Sequence, residues 1–232
     1  MKLAAIDIGS NAARLLITEV NINEKGIPSF NKLNLIRVPL RLGFDVFESS
    51  EISKAKIGMV MQTMKAYKHL MNAYGVEHLK ACATSAMRDA KNAADIIRKI
   101  KMETDIGIEV ISGDLEANLI YENHVAENMD KDHSYLYIDV GGGSTELSFF
   151  SNNILTYKKS FNIGTIRLLK NMVTDKQWDD MKETLKAITK GHKEVVAIGT
   201  GGNINKVFSM SKRKDGKPLS LELLKDYYKE LS

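Results

Sequence analysis

The sequence is short of cysteine, proline and long apolar runs, and each shortage excludes a class of protein. It has one cysteine and three prolines. A single thiol, Cys82, cannot form an intramolecular disulfide, and its apolar neighbours predict a buried core side chain. No apolar run approaches the roughly 20 residues that a membrane-spanning helix needs. The apolar N-terminal run is broken at Asp7, too early for a signal peptide. We therefore expect a cytoplasmic protein with no membrane partner.

The composition fits a globular protein, and its charge is uneven along the chain. The 232 residues are 44% hydrophobic and 27% charged, enough for one large domain or two small ones. Residues 1–150 carry 17 basic and 20 acidic side chains, whereas residues 151–232 carry 16 basic and 9 acidic ones, a net charge of +7. A basic second half indicates an anionic partner. A solvated lysine-rich surface explains the same balance unless another feature points to phosphate.

Hydrophobic periodicity predicts alternating strands and helices, and therefore an α/β protein with mixed sheets. In the first half we expect strands at 2–8, 13–20, 32–41, 78–83 and 107–111, and helices at 53–74, 92–103 and 114–127. In the second half we expect strands at 135–140, 146–150, 154–160 and 194–199, and helices at 165–172, 175–190, 203–209 and 221–231.

An internal repeat divides the chain. The segment Ala5-Ile6-Asp7-Ile8-Gly9-Ser10 resembles Tyr137-Ile138-Asp139-Val140-Gly141-Gly142, and a second strand follows each segment. This pattern predicts two lobes, 1–130 and 131–232, joined near residues 128–134. Their glycine loops and aspartates would face one cleft, and the lobes would close around a ligand.

Three glycine-containing loops are candidate phosphate sites, because glycine lets backbone amides approach an anion closely. For the first two loops a tight hairpin without a ligand is the alternative, but two such loops in register make it the weaker interpretation. The third loop, at 198–203, could equally be a structural turn at the start of a helix. Asp7 and Asp139, at the ends of the preceding strands, would orient a hydrated Mg²⁺ (or Mn²⁺) ion. The candidate phosphate-binding residues are Gly9, Ser10, Asn11, Gly141, Gly142, Gly143, Ser144, Thr145 and Gly201.

Two glutamates and one arginine are candidates for chemistry. Glu116 is predicted in the first turn of a helix, where it could position water or simply complement the helix dipole. Glu146 follows the triple-glycine loop and could hold a metal or its water. Arg88 follows a strand and could bind phosphate, although a surface ion pair is the alternative. The five histidines lack the spacing of a zinc site.

Five ordered motifs together resemble the exopolyphosphatases and guanosine pentaphosphate phosphatases. They are Asp7 to Asn11, Ala83 to Arg88, Ile111 to Ala117, Asp139 to Glu146 and Gly199 to Gly202. The resemblance implies the fold of the actin-like, sugar-kinase and Hsp70 superfamily, with two ribonuclease-H-like lobes of mixed sheets flanked by helices. By comparison with that family, the second lobe is expected to be incomplete at its C-terminal end.

The resemblance also implies roles. Glu116 looks like the base that activates water, Asp7, Asp139 and Glu146 look like metal or water ligands, and Arg88 looks like a phosphate contact. The expected substrate is inorganic polyphosphate or, as an alternative, guanosine pentaphosphate, with no nucleic acid partner and a possible homodimer. An ATP-dependent kinase or a non-catalytic phosphate or nucleotide sensor of the same superfamily remains open.

Overall fold

The computed structural model describes residues 1–113, 115–116, 132–214 and 217–231, which form two α/β lobes. The first lobe contains strands β1 (Lys2–Ile8), β2 (Ala13–Ile22), β3 (Pro28–Val38), β4 (His78–Ala83) and β5 (Glu109–Val110), with helices α1 (Leu42–Ser49), α2 (Lys54–Tyr74), α3 (Ser85–Asp89) and α4 (Ala93–Thr104). The second contains strands β6 (Ser134–Val140), β7 (Thr145–Ser151), β8 (Ile154–Phe161) and β9 (Val195–Thr200), with helices α5 (Thr165–Leu169), α6 (Asp175–Thr189), α7 (Gly202–Met210) and α8 (Leu221–Leu231).

Most predicted elements are present with small shifts in their ends. The strands predicted at 2–8 and 78–83 and the helix at 221–231 have the predicted bounds, whereas the strand predicted at 32–41 runs from Pro28 to Val38. Helices α1 and α3 were not predicted. The predicted helix at 114–127 lies almost wholly outside the described residues. Of the predicted linker at 128–134, only residues 132–134 are described, and Ser134 already belongs to β6. The division into lobes at residue 130 therefore stays a prediction.

The two sheets confirm the internal repeat, because they share a strand order. The first sheet has the order β3-β2-β1-β4-β5 and the second β8-β7-β6-β9. In each sheet the opening strand pairs antiparallel with the next strand and parallel with a later one, β4 or β9. Asp7 and Asp139 lie one residue before the ends of the equivalent strands β1 and β6, so the repeat brings both aspartates to corresponding sheet edges.

Helix α2 shows how the sequence determines local structure. Ser53 caps its N-terminus, since its side chain accepts a hydrogen bond from the backbone N–H of Lys56. Gly75 ends it in the left-handed conformation (φ 67°), as expected of a C-terminal glycine. The buried face of α2 includes Met64 and Tyr67, which pack on the first sheet. None of the helices in the described part of the chain is both long and apolar enough to cross a membrane.

The core of the first lobe extends into the second lobe. It consists of the inward side chains of β1, β2 and β4 together with those of the helices, and it also includes Ile166 of α5. Helix α5 therefore docks on the first lobe. Cys82, expected in this core, is only partly buried, so the prediction of a buried thiol was wrong.

Candidate functional site

A polar cavity of about 620 Å³ lies between the lobes. Its walls come from the ends of β1 and β6, from the loops that follow β4 and β9, and from the start of β2. The residues that line it are Asp7, Gly9, Ser10, Asn11, Ala12, Arg14, Arg37, Thr84, Ser85, Glu116, Asp139, Val140, Gly141, Gly142, Ser144, Thr165, Thr200, Gly201, Gly202, Asn203 and Asn205. The repeated elements of both lobes therefore meet at one site, as the sequence predicted.

The two predicted phosphate loops form the same turn. In the first lobe the N–H of Gly9 donates to the carbonyl of Ala12 (3.0 Å), and in the second the N–H of Gly141 donates to the carbonyl of Ser144 (2.9 Å). Ser10 is buried, and its hydroxyl shares a 2.7 Å hydrogen bond with that of Ser85. Ser85 was not predicted as a site residue, because only the fold brings β4 beside β1.

The third predicted loop depends on glycine at position 201. Gly201 has a positive φ of 104°, and a Cβ there would lie 2.4 Å from the carbonyl oxygen of Val140. Only glycine lets the chain pass this close to the end of β6. The close approach places Thr200 beside Asp139, and the Thr200 hydroxyl donates to Asp139 Oδ1 over 2.7 Å.

The two strand-end aspartates have different partners. Asp7 lies opposite Arg14 in the sheet register, and Arg14 Nη1 donates to Asp7 Oδ2 over 2.9 Å. Burial raises the pKa of Asp7 above its usual value, Arg14 opposes that shift, and the charge of Asp139 adds to it. Asp139 lies opposite Glu146 instead, so this position carries a second carboxyl where the first lobe carries an arginine.

Glu116 lines the cavity, and its environment disfavours its charge. Burial raises its pKa to about 8, the carboxyl of Glu146 adds to the shift, and Arg88 opposes it. Its Oε2 atom is buried and has no hydrogen-bond partner in the described part of the chain. The backbone supports it locally, since the N–H of Glu116 donates to the carbonyl of Ser112 (3.0 Å). A carboxyl poised in this way is suited to accept a proton.

Glu146 is more deeply buried than Glu116, with 3% of its surface exposed, and it lies behind the cavity wall. Burial raises its pKa, while hydrogen bonds from Ser144 and Ser160 oppose that shift. The Ser160 hydroxyl donates to Glu146 Oε1 over 2.8 Å. A Cβ on Gly113 would lie 2.5 Å from that of Ser160, so the segment that carries Glu116 packs directly on the support of Glu146.

The raised pKa of Glu116 predicts a pH-dependent stability. Between pH 4.5 and about 8 the folded chain retains the Glu116 proton that an unfolded chain releases, so folding becomes less favourable as the pH rises through this window. In buffer with a metal chelator we expect Glu116→Gln to melt roughly 3–8 °C above the wild-type protein at pH 8.5. The two proteins should melt together at pH 4.5.

Glu103→Gln is the matched control. Glu103 is exposed, and its hydrogen bond with Lys65 lowers its pKa. The same substitution there should give no gain at pH 8.5. Equal melting temperatures of the wild-type protein and Glu116→Gln at both pH values would contradict a raised pKa at Glu116.

The carboxylates fit a divalent cation that also uses substrate oxygens. Among the residues that the structure describes, no group of three histidine, cysteine, aspartate or glutamate side chains could hold a metal by itself. Mg²⁺ typically takes one or two carboxylates and fills its other positions with water and phosphate oxygens. The Oε2 atom of Glu116 has no hydrogen-bond partner among the described residues, and the charges of Glu146, Asp7 and Asp139 all add to the raised pKa of Glu116. A cation would relieve both features.

Three predicted residues besides Glu146 lie outside the cavity lining. Arg88 Nη1 donates to the carbonyl of Ile111 (2.9 Å) and does not line the cavity. Its charge still opposes the raised pKa values of Glu116 and Glu146. Thr145 is buried, and its hydroxyl donates to the carbonyl of Ile163. Gly143 packs against Ser85 and Phe47 of the first lobe. The roles predicted for these residues stay predictions.

Two arginines are among the cavity residues that sequence reasoning missed. Arg14 and Arg37 lie opposite each other on β2 and β3, and both line the cavity. They give one wall a positive charge. The spacing of 23 residues between them carries no recognisable pattern, because strand pairing alone brings them together.

The chain is similar to proteins of one family over most of its length. The model of the Ppx/GppA phosphatase family matches residues 21–213. The bifunctional 3-dehydroquinate synthase/phosphatase of Fusobacterium nucleatum is 32% identical over an alignment of 203 residues that covers 80% of this chain and 30% of that protein. Exopolyphosphatase 1 of Mycobacterium tuberculosis is 27% identical over 175 residues, 75% of this chain and 50% of that protein. The chain thus spans half or less of the length of these curated relatives.

Solved structures confirm the expected fold class. The Aquifex aeolicus member of the Ppx/GppA family superposes with a TM-score of 0.75 and 26% identity, covering 99% of this chain and 78% of that one. An exopolyphosphatase from Cytophaga hutchinsonii gives a TM-score of 0.73 and 25% identity, covering 96% and 73% of the two chains. The two lobes of mixed sheets flanked by helices are those of the actin-like ATPase fold.

Proposed function

Since the chain belongs to the Ppx/GppA phosphatase family, we propose that it releases the terminal phosphate of inorganic polyphosphate by carboxylate-activated attack of water. The observation that carries this proposal is the placement of Glu116 in a cavity between two glycine-containing loops. Its raised pKa and unpartnered oxygen are properties of a general base. The loops supply backbone amides for the phosphates on either side of it.

The lining of the cavity favours an inorganic chain over a nucleotide. No aromatic side chain is among the described residues that line it, and Ala12 and Val140 are its only apolar side chains there. A guanine base is usually held against aromatic or apolar side chains. A polyphosphate chain presents oxygens throughout, which suit amides, hydroxyl groups, and the guanidinium groups of Arg14 and Arg37. The net charge of +7 on residues 151–232 also favours a long polyanion.

The proposed reaction is an in-line displacement at the terminal phosphorus. Glu116 accepts a proton from water as the water oxygen bonds to phosphorus. The bond between that phosphorus and the bridging oxygen then breaks, and the bridging oxygen leaves with its electron pair on the shortened chain. Arg14 and Arg37 offset charge along the chain, and Thr200 holds the carboxyl of Asp139 in place.

A divalent cation is part of the proposal. Asp7 and Asp139 would hold Mg²⁺ (or Mn²⁺) directly or through water. Glu146, which lies opposite Asp139 in the sheet, would bind the cation or one of its water ligands. The cation would neutralise charge on the phosphate oxygens. A homodimer and a cytoplasmic location stay predictions from the sequence.

The test compares two substrates in parallel. With Mg²⁺ present, we expect the chain to release phosphate from long-chain polyphosphate, with kcat/KM at least about tenfold above that for guanosine pentaphosphate, because the cavity offers no base-stacking surface. Chelation of the cation should stop release. A preference for guanosine pentaphosphate would make the nucleotide the substrate. If the folded protein released phosphate from neither substrate, the hydrolase proposal would be wrong.

A further inference from the structure

Helix α5 holds three successive carbonyl groups of the second phosphate loop. The N–H of Thr165 donates to the carbonyl of Gly141 (3.0 Å), and that of Ile166 donates to the carbonyl of Gly142 (2.8 Å). The third carbonyl, of Gly143, accepts from Nε of Arg167 over 2.7 Å. All three carbonyls therefore point toward α5.

This arrangement determines where the loop amides point. In a trans peptide the N–H of one residue points opposite to the carbonyl of the residue before it. No cis peptide bond occurs in the described chain. The N–H groups of Gly142, Gly143 and Ser144 therefore point away from α5. Three successive amides directed to one side form the concave anion site expected of a phosphate loop.

One of the three supports is a side chain, and that side chain reaches the other lobe. The guanidinium of Arg167 lies 4.1 Å from the centre of the Phe47 ring on α1 and forms an ion pair with Asp89 at the end of α3. Its side chain is only 13% exposed. The orientation of the peptide between Gly143 and Ser144 thus depends on contacts with the first lobe.

In the first lobe, backbone N–H groups alone hold the carbonyl groups of the equivalent loop. There the carbonyl of Ser10 accepts from the N–H of Gly43, and that of Asn11 accepts from the N–H of Arg41, both at 2.8 Å. Asn11 corresponds to Gly143 in the repeat. Backbone supports are fixed by the helix itself, whereas the support of Gly143 can be removed by one substitution.

We propose that Arg167 is a positioning residue for the phosphate loop 141–144, and that it ties the orientation of the loop amides to the docking of the two lobes. The proposal rests on the function proposed above, in that it takes this loop to bind the phosphates of the substrate. Arg167 itself is not among the residues that line the cavity. It acts through the Gly143 carbonyl.

The experiment measures binding without turnover. All variants are made in a Glu116→Gln background, and calorimetry gives their affinity for tripolyphosphate in the presence of Mg²⁺. Arg167→Gln removes the charge, whereas Arg167→Lys keeps the charge but lacks the planar fork that reaches Gly143 and Asp89 together. Lys170→Gln is the matched control, because the Lys170 side chain crosses the same interface to Glu48 but forms no hydrogen bond with the loop among the described residues.

We expect both Arg167 variants to bind tripolyphosphate about tenfold more weakly, the loss expected for one charge-assisted hydrogen bond. Lys170→Gln should stay within about twofold, since an exposed ion pair contributes little. With Glu116 intact, the Arg167 variants should raise KM more than they lower kcat.

The outcomes separate this proposal from the hydrolase proposal. If the wild-type chain releases no phosphate but tripolyphosphate binding still depends on Arg167, the hydrolase proposal fails and the positioning role stands. Wild-type affinity in a folded Arg167→Lys variant would overturn the positioning role, and so would equal losses in Arg167→Gln and Lys170→Gln. A complete lack of tripolyphosphate binding in the Glu116→Gln background would contradict the proposal that loop 141–144 binds phosphate. The positioning role of Arg167 would then fail with it.

Discussion

Replacing Glu116 with Gln should lower kcat for polyphosphate about 10³-fold, within the range of a lost general base. Glutamine has nearly the same shape but cannot accept the proton of the attacking water. KM should change little, because the loops and arginines that hold the chain are intact. Initial rates of phosphate release over a range of polyphosphate concentrations, measured for the wild-type protein and the variant, give both constants.

The pH profile supplies an independent check on the same residue. A base works only as the carboxylate, so kcat/KM of the wild-type protein should rise with pH toward the Glu116 pKa, which is about 8 without a bound cation. Glu103→Gln, an exposed site outside the cavity lining, should leave the profile unchanged. If Glu116→Gln keeps more than about a tenth of the wild-type kcat, Glu116 is not the base.

Replacing Gly164 with Ala should both destabilise the protein and weaken phosphate binding. A Cβ on Gly164 would lie 2.5 Å from the carbonyl oxygen of Gly142 and 2.5 Å from the carbonyl carbon of Gly143. Its backbone is extended (φ −142°), a conformation open to any residue, so the cost comes from the contact alone. Because both neighbours are backbone of the phosphate loop, the loop must move. We expect a loss of about 1–3 kcal/mol in unfolding free energy.

Denaturant unfolding measures the stability of this variant, and tripolyphosphate titration measures its binding. Gly58→Ala is the matched control, because a Cβ at Gly58, inside α2, meets no atom within 4 Å. That change should raise stability by about 0.5–1 kcal/mol and leave binding unchanged. A Gly164→Ala protein with wild-type stability and affinity would show that the loop is not tightly packed on α5.

Local patterns predicted the elements that bury a continuous apolar face. Strands β1 and β4 have the predicted bounds because their apolar runs end at polar or glycine residues. Helix α2 was recognisable from its three- and four-residue spacing and its terminal glycine. Helices α1 and α3 were missed because they have eight and five residues, too few turns for a period to show. Both helices also contact Arg167 of the second lobe, α1 through Phe47 and α3 through Asp89, and no local pattern reports such contacts.

The candidate site was predictable where it follows the repeat. Asp7, Asp139 and the residues after them form matching strand-turn units, so the sequence alone placed them together. Its position at a helix start made Glu116 a candidate that could equally complement the helix dipole, and only the resemblance to a family motif favoured the role of a base. The structure adds what the repeat does not encode: the sheet position opposite Asp7 carries Arg14, whereas the one opposite Asp139 carries Glu146. Such pairings join residues whose separation along the chain carries no signal.

Arg167 illustrates a second limit on what can be predicted from the sequence. Its three partners are Gly143, Asp89 and Phe47, which lie 24, 78 and 120 residues away. From the sequence it was one basic residue in a short predicted helix. Only the docking of α5 on the first lobe makes it a support of the phosphate loop.

The place of Ile166 has a consequence for how this protein unfolds. Ile166 is 5% exposed and belongs to the core of the first lobe, although its helix follows the second sheet. The first lobe therefore lacks part of its interior when it is separated from the second lobe. Cooperativity in a small protein comes from such shared packing, and we expect the two lobes to melt in a single transition rather than one after the other. A substitution that truncates the Ile166 side chain would then lower the thermal midpoint of the whole molecule.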